Sequence, residues 1–244
     1  MSRIDDLLQA GLKGLPERPA DNAERTAKQA YSQRMSQVIA NAFAEELRNR
    51  GMTTALPAPP GTVGISGAER RLSGGIGAKR VDASWATEES GLILGLSVKT
   101  INWRDARSKN FQKNLTNRRG DMLFESVTLH RRFPYAVLGG FFFLDREAER
   151  DNTPKRRSTW VNAHQRLRLF TRRFDPAGRE EQLERLYLVL VEATQFGARL
   201  KVREVGRPDD ELEFDGILND LVALVVERNF DFYELDADGK IVTV

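Results

Sequence analysis

The sequence predicts a mixed α/β fold, a central mixed sheet flanked by helices, and three observations predict it. Two short segments, Lys79–Trp85 and Gly91–Thr100, alternate apolar and polar residues with a period of two. The connector between them, Thr87-Glu88-Glu89-Ser90-Gly91, is polar and ends in glycine, which suits two antiparallel neighbours joined by a turn. Tyr135–Asp145 is a nearly unbroken apolar run, as in a strand covered on both faces. Finally, Tyr31, Met35, Val38, Ile39, Ala42, Phe43 and Leu47 form a stripe at helical spacing within Asp21–Arg50, before Gly51.

Taken in chain order, residues 1–20 carry Ile4, Leu7, Leu8, Leu12 and Leu15 and are broken by Gly14, Pro16 and Pro19, which reads as an N-terminal arm or a short docking helix. Asp21 is the expected N-cap of the long helix. Leu56–Gly61 holds three prolines and is a structural break. Gly64–Gly77 reads as a glycine-rich loop with a turn of helix around Glu69. Beyond the hairpin, Ile101–Asn114 is a polar tether, Leu115–His130 a helix and Tyr135–Asp145 the buried strand. A basic loop at Asp151–Ser158, a helix at Trp160–Phe170, strands at Glu184–Glu192 and Arg199–Val205, and a helix at Ile217–Arg228 complete the expectation. This is one domain over 21–244, with a core at 21–145 and an elaboration at 146–244.

At 244 residues and 40% hydrophobic composition the chain can bury one sizeable core, and 30% charged residues mark a protein that faces water. No apolar run reaches bilayer length and the start lacks a secretory layout, so a cytoplasmic location with no membrane partner is expected. The absence of cysteine excludes disulfides, thiol nucleophiles and cysteine-ligated zinc, and two histidines leave little for a histidine-based metal site. Charge is uneven. Lys99–Tyr135 has nine Lys/Arg against three Asp/Glu, Arg150–Arg173 eight against one, and Glu204–Asp238 two against twelve. A basic middle suits a polyanionic partner; solvated helix faces are the plainer explanation.

The hairpin carries the chemistry. Ser97 and Lys99 project together, opposite Leu92, Leu94, Leu96 and Val98, and the turn brings Asp82 near Lys99. An aspartate, a hairpin and an X-x-Lys tripeptide, preceded by a helix and followed by a helix and a buried strand, resemble the active-site core of the PD-(D/E)XK nucleases, the restriction-endonuclease-like fold. The likeness spans residues 21–145. Ser97 stands where that family has Asp or Glu, and Val81 where it has proline. The resemblance implies magnesium-dependent (or manganese-dependent) hydrolysis of DNA phosphodiester bonds. Asp82 and the Val98 carbonyl would be metal ligands and Lys99 the group that orients the attacking water, with Ser97 as a weak neutral ligand. A further carboxylate is then required, and Glu69, just upstream, and Glu46, four residues after Ala42 on the inward helix face, are the candidates.

Asn102, Arg104, Lys109, Asn114, Arg118, Arg119 and Arg131 interleave amide and basic groups suited to nucleic-acid contacts, though Glu125 could equally pair with Arg118 or Arg119 as a structural bridge. His130 and His164 are read as hydrogen-bonded rings, and Asp82 with Lys99 could be a plain cross-strand pair. The expected partner is double-stranded DNA, with a homodimer and a defence-system partner protein as further possibilities from the family likeness. The alternatives are a catalytically inactive DNA-binding or assembly module of the same fold, for which Ser97 argues, and an RNA-directed nuclease.

Overall fold

The structure, a computed structural model, describes residues 2–62, 67, 69–194 and 197–244. Its centre is a six-stranded mixed sheet in the order β3-β4-β5-β6-β7-β8: Ala83–Thr87, Gly91–Ile101, Val137–Asp145, Arg185–Thr194, Gly197–Glu204 and Glu211–Leu212. β4, β5 and β6 run parallel, and the outer pairs are antiparallel. The parallel middle explains the continuous apolar sequence of β5, because helices cover both of its faces. Phe141 and Phe143 point into one core with α1 (Arg3–Lys13), α2 (Arg25–Asn49) and α5 (Phe214–Arg228). Phe142 and Leu144 point into the other, with α3 (Gln112–His130) and α4 (Thr159–Leu167). The mixed α/β expectation is therefore met.

Several boundaries differ for identifiable reasons. Of the two readings of the N-terminal segment, the short docking helix holds and the arm does not: Ser2 caps α1 through a reciprocal bond pair with Asp5, and Ile4, Leu8 and Leu12 are buried in the α2 core. Asp21 does not cap α2, because its carboxylate is taken by Arg18 at 3.0 Å; the helix begins four residues later without a side-chain cap. The segment read as one strand over Lys79–Trp85 is two. Ala78–Val81 (β2) pairs with Arg70–Ser73 (β1) in a small separate ribbon, and Ala83–Thr87 pairs with β4. Val81 and Ala83 consequently fall into opposite cores, and the chain turns at Asp82. The glycine-rich stretch thus holds a strand after Glu69 rather than a turn of helix; its residues 64–66 and 68 lie outside the described residues.

A second ribbon, β9–β10 (Tyr233–Leu235 with Ile241–Thr243), seats the C-terminal segment on the end of α2. There the Ile241 N–H donates to the Arg50 carbonyl at 2.9 Å, and Gly51, at φ +94°, lies so close that a side chain would collide with the Ile241 carbonyl. No described helix is long and apolar enough to cross a membrane.

Candidate active site

The site is built where β3 stops short of β4. Strand pairing ends at Ala83 opposite Leu96, so among the described residues β4 has no strand neighbour on that side from Ser97 onward. The next residue back from Ala83 is Asp82, and its carboxylate accepts the Val98 N–H at 2.7 Å in place of a strand carbonyl. A residue's N–H and C=O leave a strand on the same edge, so the Val98 carbonyl also faces this gap. Lys99 places its ammonium 3.8 Å from Asp82 and 3.0 Å from Glu125 of α3. Ser97 completes the group by donating its hydroxyl to the other oxygen of Glu125.

Glu125 reaches the sheet because α3 lies close to it. Ser97 is paired in register with Gly140 of β5, and a side chain at Gly140 would meet Met122 of α3 and Leu183 and Leu186. Met122, Glu125, Ser126 and Leu129 follow at i, i+3, i+4 and i+7, one face of the helix, and all four are buried. That spacing was the signal in the sequence: an acid within an apolar stripe needs a partner inside the protein. Its Lys/Ser partner lies across the sheet interface, which sequence spacing alone does not reveal.

Two buried carboxylates share one ammonium, and the charge balance shows in the titration of Asp82 and Lys99. Burial, aided by the negative charges of Glu125 and Glu69 and only partly opposed by Lys99 and the Val98 amide, pushes Asp82 up to about 7. For Lys99, burial works against the charge but is outweighed by Glu125 and Asp82, which hold it above the ordinary lysine value. Because Asp82 is raised in the folded state from 3.8, the protonated form is the one that stabilises the fold. That stability is fully present below pH about 4 and is lost as pH rises through about 7. Asp82→Asn, which keeps an acceptor for Val98, is therefore expected to raise the thermal midpoint at pH 8 by roughly 5 °C. Thermal melts of both proteins at pH 8 and pH 4 check this; the gain should vanish at pH 4, and an equal gain at both would show that charge is not its source.

The ammonium and the free β4 edge open onto a cavity of about 560 Å³. One wall is the polar face of α2, where Gln29, Gln33 and Gln37 recur every four residues; Glu69, Arg80 and Arg118 form the others. A second hollow of about 510 Å³ continues from it past Thr100 to Asn102, Trp103, Asn114 and Asn117. Here Trp103 donates its indole N–H to the Pro19 carbonyl, with the Arg18 guanidinium over its ring at 5.5 Å.

The sequence candidates divide clearly. Asp82, Ser97, Val98 and Lys99 are brought together, with Glu69 at the rim of the cavity. Glu46 is not part of the site: it is 2% exposed and its carboxylate is held by Arg50 and Arg3, each at 2.9 Å. Arg104 and Arg131 are engaged by Glu147 and Glu180, and Arg119 lies against the Phe170 ring. Asn102 donates to Ser32 and Asn114 to the Trp103 carbonyl, so both brace the second hollow that they line. Arg118 faces both hollows, with Asp121 at 3.3 Å, and Lys109 is exposed at φ +52°. Arg118 pairs with Asp121, and Glu125 with Lys99. Both histidines are structural. His130 lies between Ser126 and Glu184, and His164 accepts the Gly206 N–H, its pKa pushed down to about 4 chiefly by burial.

No protein-family model matches this chain, and neither a curated protein nor a solved structure does.

Among the described residues no group of three or more His, Asp or Glu side chains is gathered to hold a metal. What the site offers instead is two carboxylates, a backbone carbonyl and a hydroxyl. All are hard oxygen donors, the set that suits magnesium or manganese, which take one or two carboxylates together with water and substrate phosphate.

Proposed function

We propose that the protein is a metal-dependent nuclease with a restriction-endonuclease-like core that hydrolyses phosphodiester bonds in double-stranded DNA. One observation carries the reading: the Lys99 ammonium is held between the Asp82 and Glu125 carboxylates at an open sheet edge that faces a polar cavity. A lysine fixed by two acids inside a core is costly for stability and suited to chemistry. The resemblance in the sequence supplies the reaction class, and Glu125 supplies the carboxylate that Ser97 lacks. The same resemblance is the sole support for a restriction or phage-defence role.

In this reading Asp82, Glu125 and the Val98 carbonyl would hold a magnesium ion, which lowers the pKa of bound water and offsets charge on the phosphate. Lys99 donates hydrogen bonds to the attacking water and stabilises the negative charge that develops at phosphorus. Ser97 fixes the Glu125 carboxylate by its hydroxyl, so that the second oxygen is presented to Lys99. Arg118 supplies a cation for the DNA backbone, and the neutral amides of α2 admit a charged strand without competing for the ammonium.

The direct test is conversion of supercoiled plasmid with magnesium. Wild type should nick or linearise it, and Asp82→Ala and Lys99→Ala should not. Because no group of three acids is gathered among the described residues, an inactive binding module of the same fold is the second reading; it would retard DNA without cutting in every variant. The pH profile gives an independent handle. Ligation by Asp82 requires loss of its proton, so at subsaturating magnesium the cleavage rate should rise about tenfold per pH unit below pH about 7 and level off above it. A flat profile from pH 5.5 to 8.5 would exclude Asp82 as the titrating ligand.

A further inference from the structure

The β1–β2 ribbon adjoins the site and is cationic. From Arg70 to Val81 the chain reads RRLSGGIGAKRV, with four basic residues and no acid. The register sets Arg71 directly opposite Arg80, and Leu72 opposite Lys79. At a period of two, Leu72 and Val81 turn to the α3 core while Arg71 and Arg80 share the outward face. Two guanidinium groups facing each other across a ribbon repel, and a cross-strand arrangement of like charges lowers stability unless something anionic lies between them. Among the described residues no carboxylate forms an ion pair with Arg70, Arg71, Lys79 or Arg80. By contrast, Arg104, Arg131, Arg172 and Arg185 all have one.

The ribbon is held in place rather than loosely tethered. The Gly75 N–H donates to the Thr128 carbonyl at 2.8 Å, and Gly74 and Gly75 lie so close to Thr128 and Arg131 that a side chain at either would overlap them. Lys79 sits 4.1 Å over the Phe124 ring. At its base Arg80 lines the cavity that holds Lys99, and Asp82 follows two residues later. A phosphate bound by Arg80 would therefore be adjacent to the cleavage centre.

We propose that this ribbon grips the phosphate backbone of duplex DNA, with Arg71 and Arg80 clamping phosphate between them and the ribbon fixing the register of the strand presented to Asp82 and Lys99. The inference rests on the nuclease reading. A two-stranded ribbon is narrow enough to lie in or along the major groove, and paired guanidinium groups bind phosphate oxygens in bidentate fashion.

The test is binding of a fluorescent 20-base-pair duplex in EDTA across a salt series, comparing wild type, Arg71→Gln/Arg80→Gln and Arg71→Lys/Arg80→Lys. The glutamine variant should bind about tenfold more weakly at 0.1 M salt, with the slope of log affinity against log salt shallower by about 2, roughly one unit for each phosphate that is no longer neutralised. The lysine variant keeps the charge and should restore the slope, which separates charge from folding. A glutamine variant with the wild-type slope overturns the clamp while leaving the nuclease reading in place. So does one whose defect appears only with single-stranded DNA or RNA, because the clamp is a clamp on duplex DNA. Failure of wild type to bind any nucleic acid overturns both.

Discussion

Glu125→Gln is expected to lower magnesium-dependent plasmid cleavage by about 1,000-fold, equivalent to about 4 kcal/mol of transition-state stabilisation. Glutamine has nearly the same shape and can still accept the Ser97 hydroxyl. What it removes is the negative charge that holds Lys99 at 3.0 Å and, on the nuclease reading, one anionic oxygen ligand. DNA binding in EDTA should be unchanged, since Glu125 lies beneath the cavity floor and carries no basic group. Loss of that negative charge also lowers the cost of ionising Asp82, so the midpoint of any residual pH profile should move below about 7. Cleavage at wild-type rate by this variant would mean that the essential second acid lies elsewhere, Glu69 being the remaining carboxylate near Asp82.

Glu184→Gln is expected to destabilise the protein by about 3–5 kcal/mol without touching the site, because it strands buried cations. Glu184 is fully buried and accepts from Arg228 at 2.6 Å, Arg173 at 3.1 Å and the Leu138 N–H at 2.6 Å, with His130 at 3.2 Å. These bonds tie together the end of α3, the start of β5, the segment before β6 and the end of α5. Despite the penalty of burial, the bond from His130 and the nearby charges of His130 and Arg228 bring Glu184 down to about 2. The sign is opposite to that of Asp82. A depressed carboxyl contributes stability above its ordinary value of 4.5, and that contribution is lost as pH falls through about 2. Thermal melts at pH 7 should show the midpoint about 10 °C lower in the variant, with the difference shrinking in acid.

The two cases show how far the sequence could be read. Local periodicity located β4, β5, α2, α3 and α5, and placed Asp82 beside Lys99, because a hairpin is a short-range object whose register follows from its own residues. Glu46 and Glu125 both sit on inward helix faces, and nothing local separates an acid that meets Arg50 within its own helix from one that meets a lysine on a distant strand. Only the packing of α3 on Gly140 decides this. The β1–β2 ribbon was hidden for another reason. Its glycines mark a turn as readily as a loop, and its strands are held by Leu72 and Val81 against α3, a contact distant in sequence. The two-residue β8 and the β9–β10 ribbon are too short to show an alternation of their own.

The carboxylate that takes the Val98 amide also has a protective duty. A bare β4 margin would present an unsatisfied donor to any extended segment of another molecule, the usual route to edge-to-edge aggregation. Asp82 closes that route with a side chain instead of a strand, since its carboxylate takes the Val98 N–H. The cap on the strand edge and, on the nuclease reading, the metal ligand are thus the same carboxylate, and an alanine there would remove both.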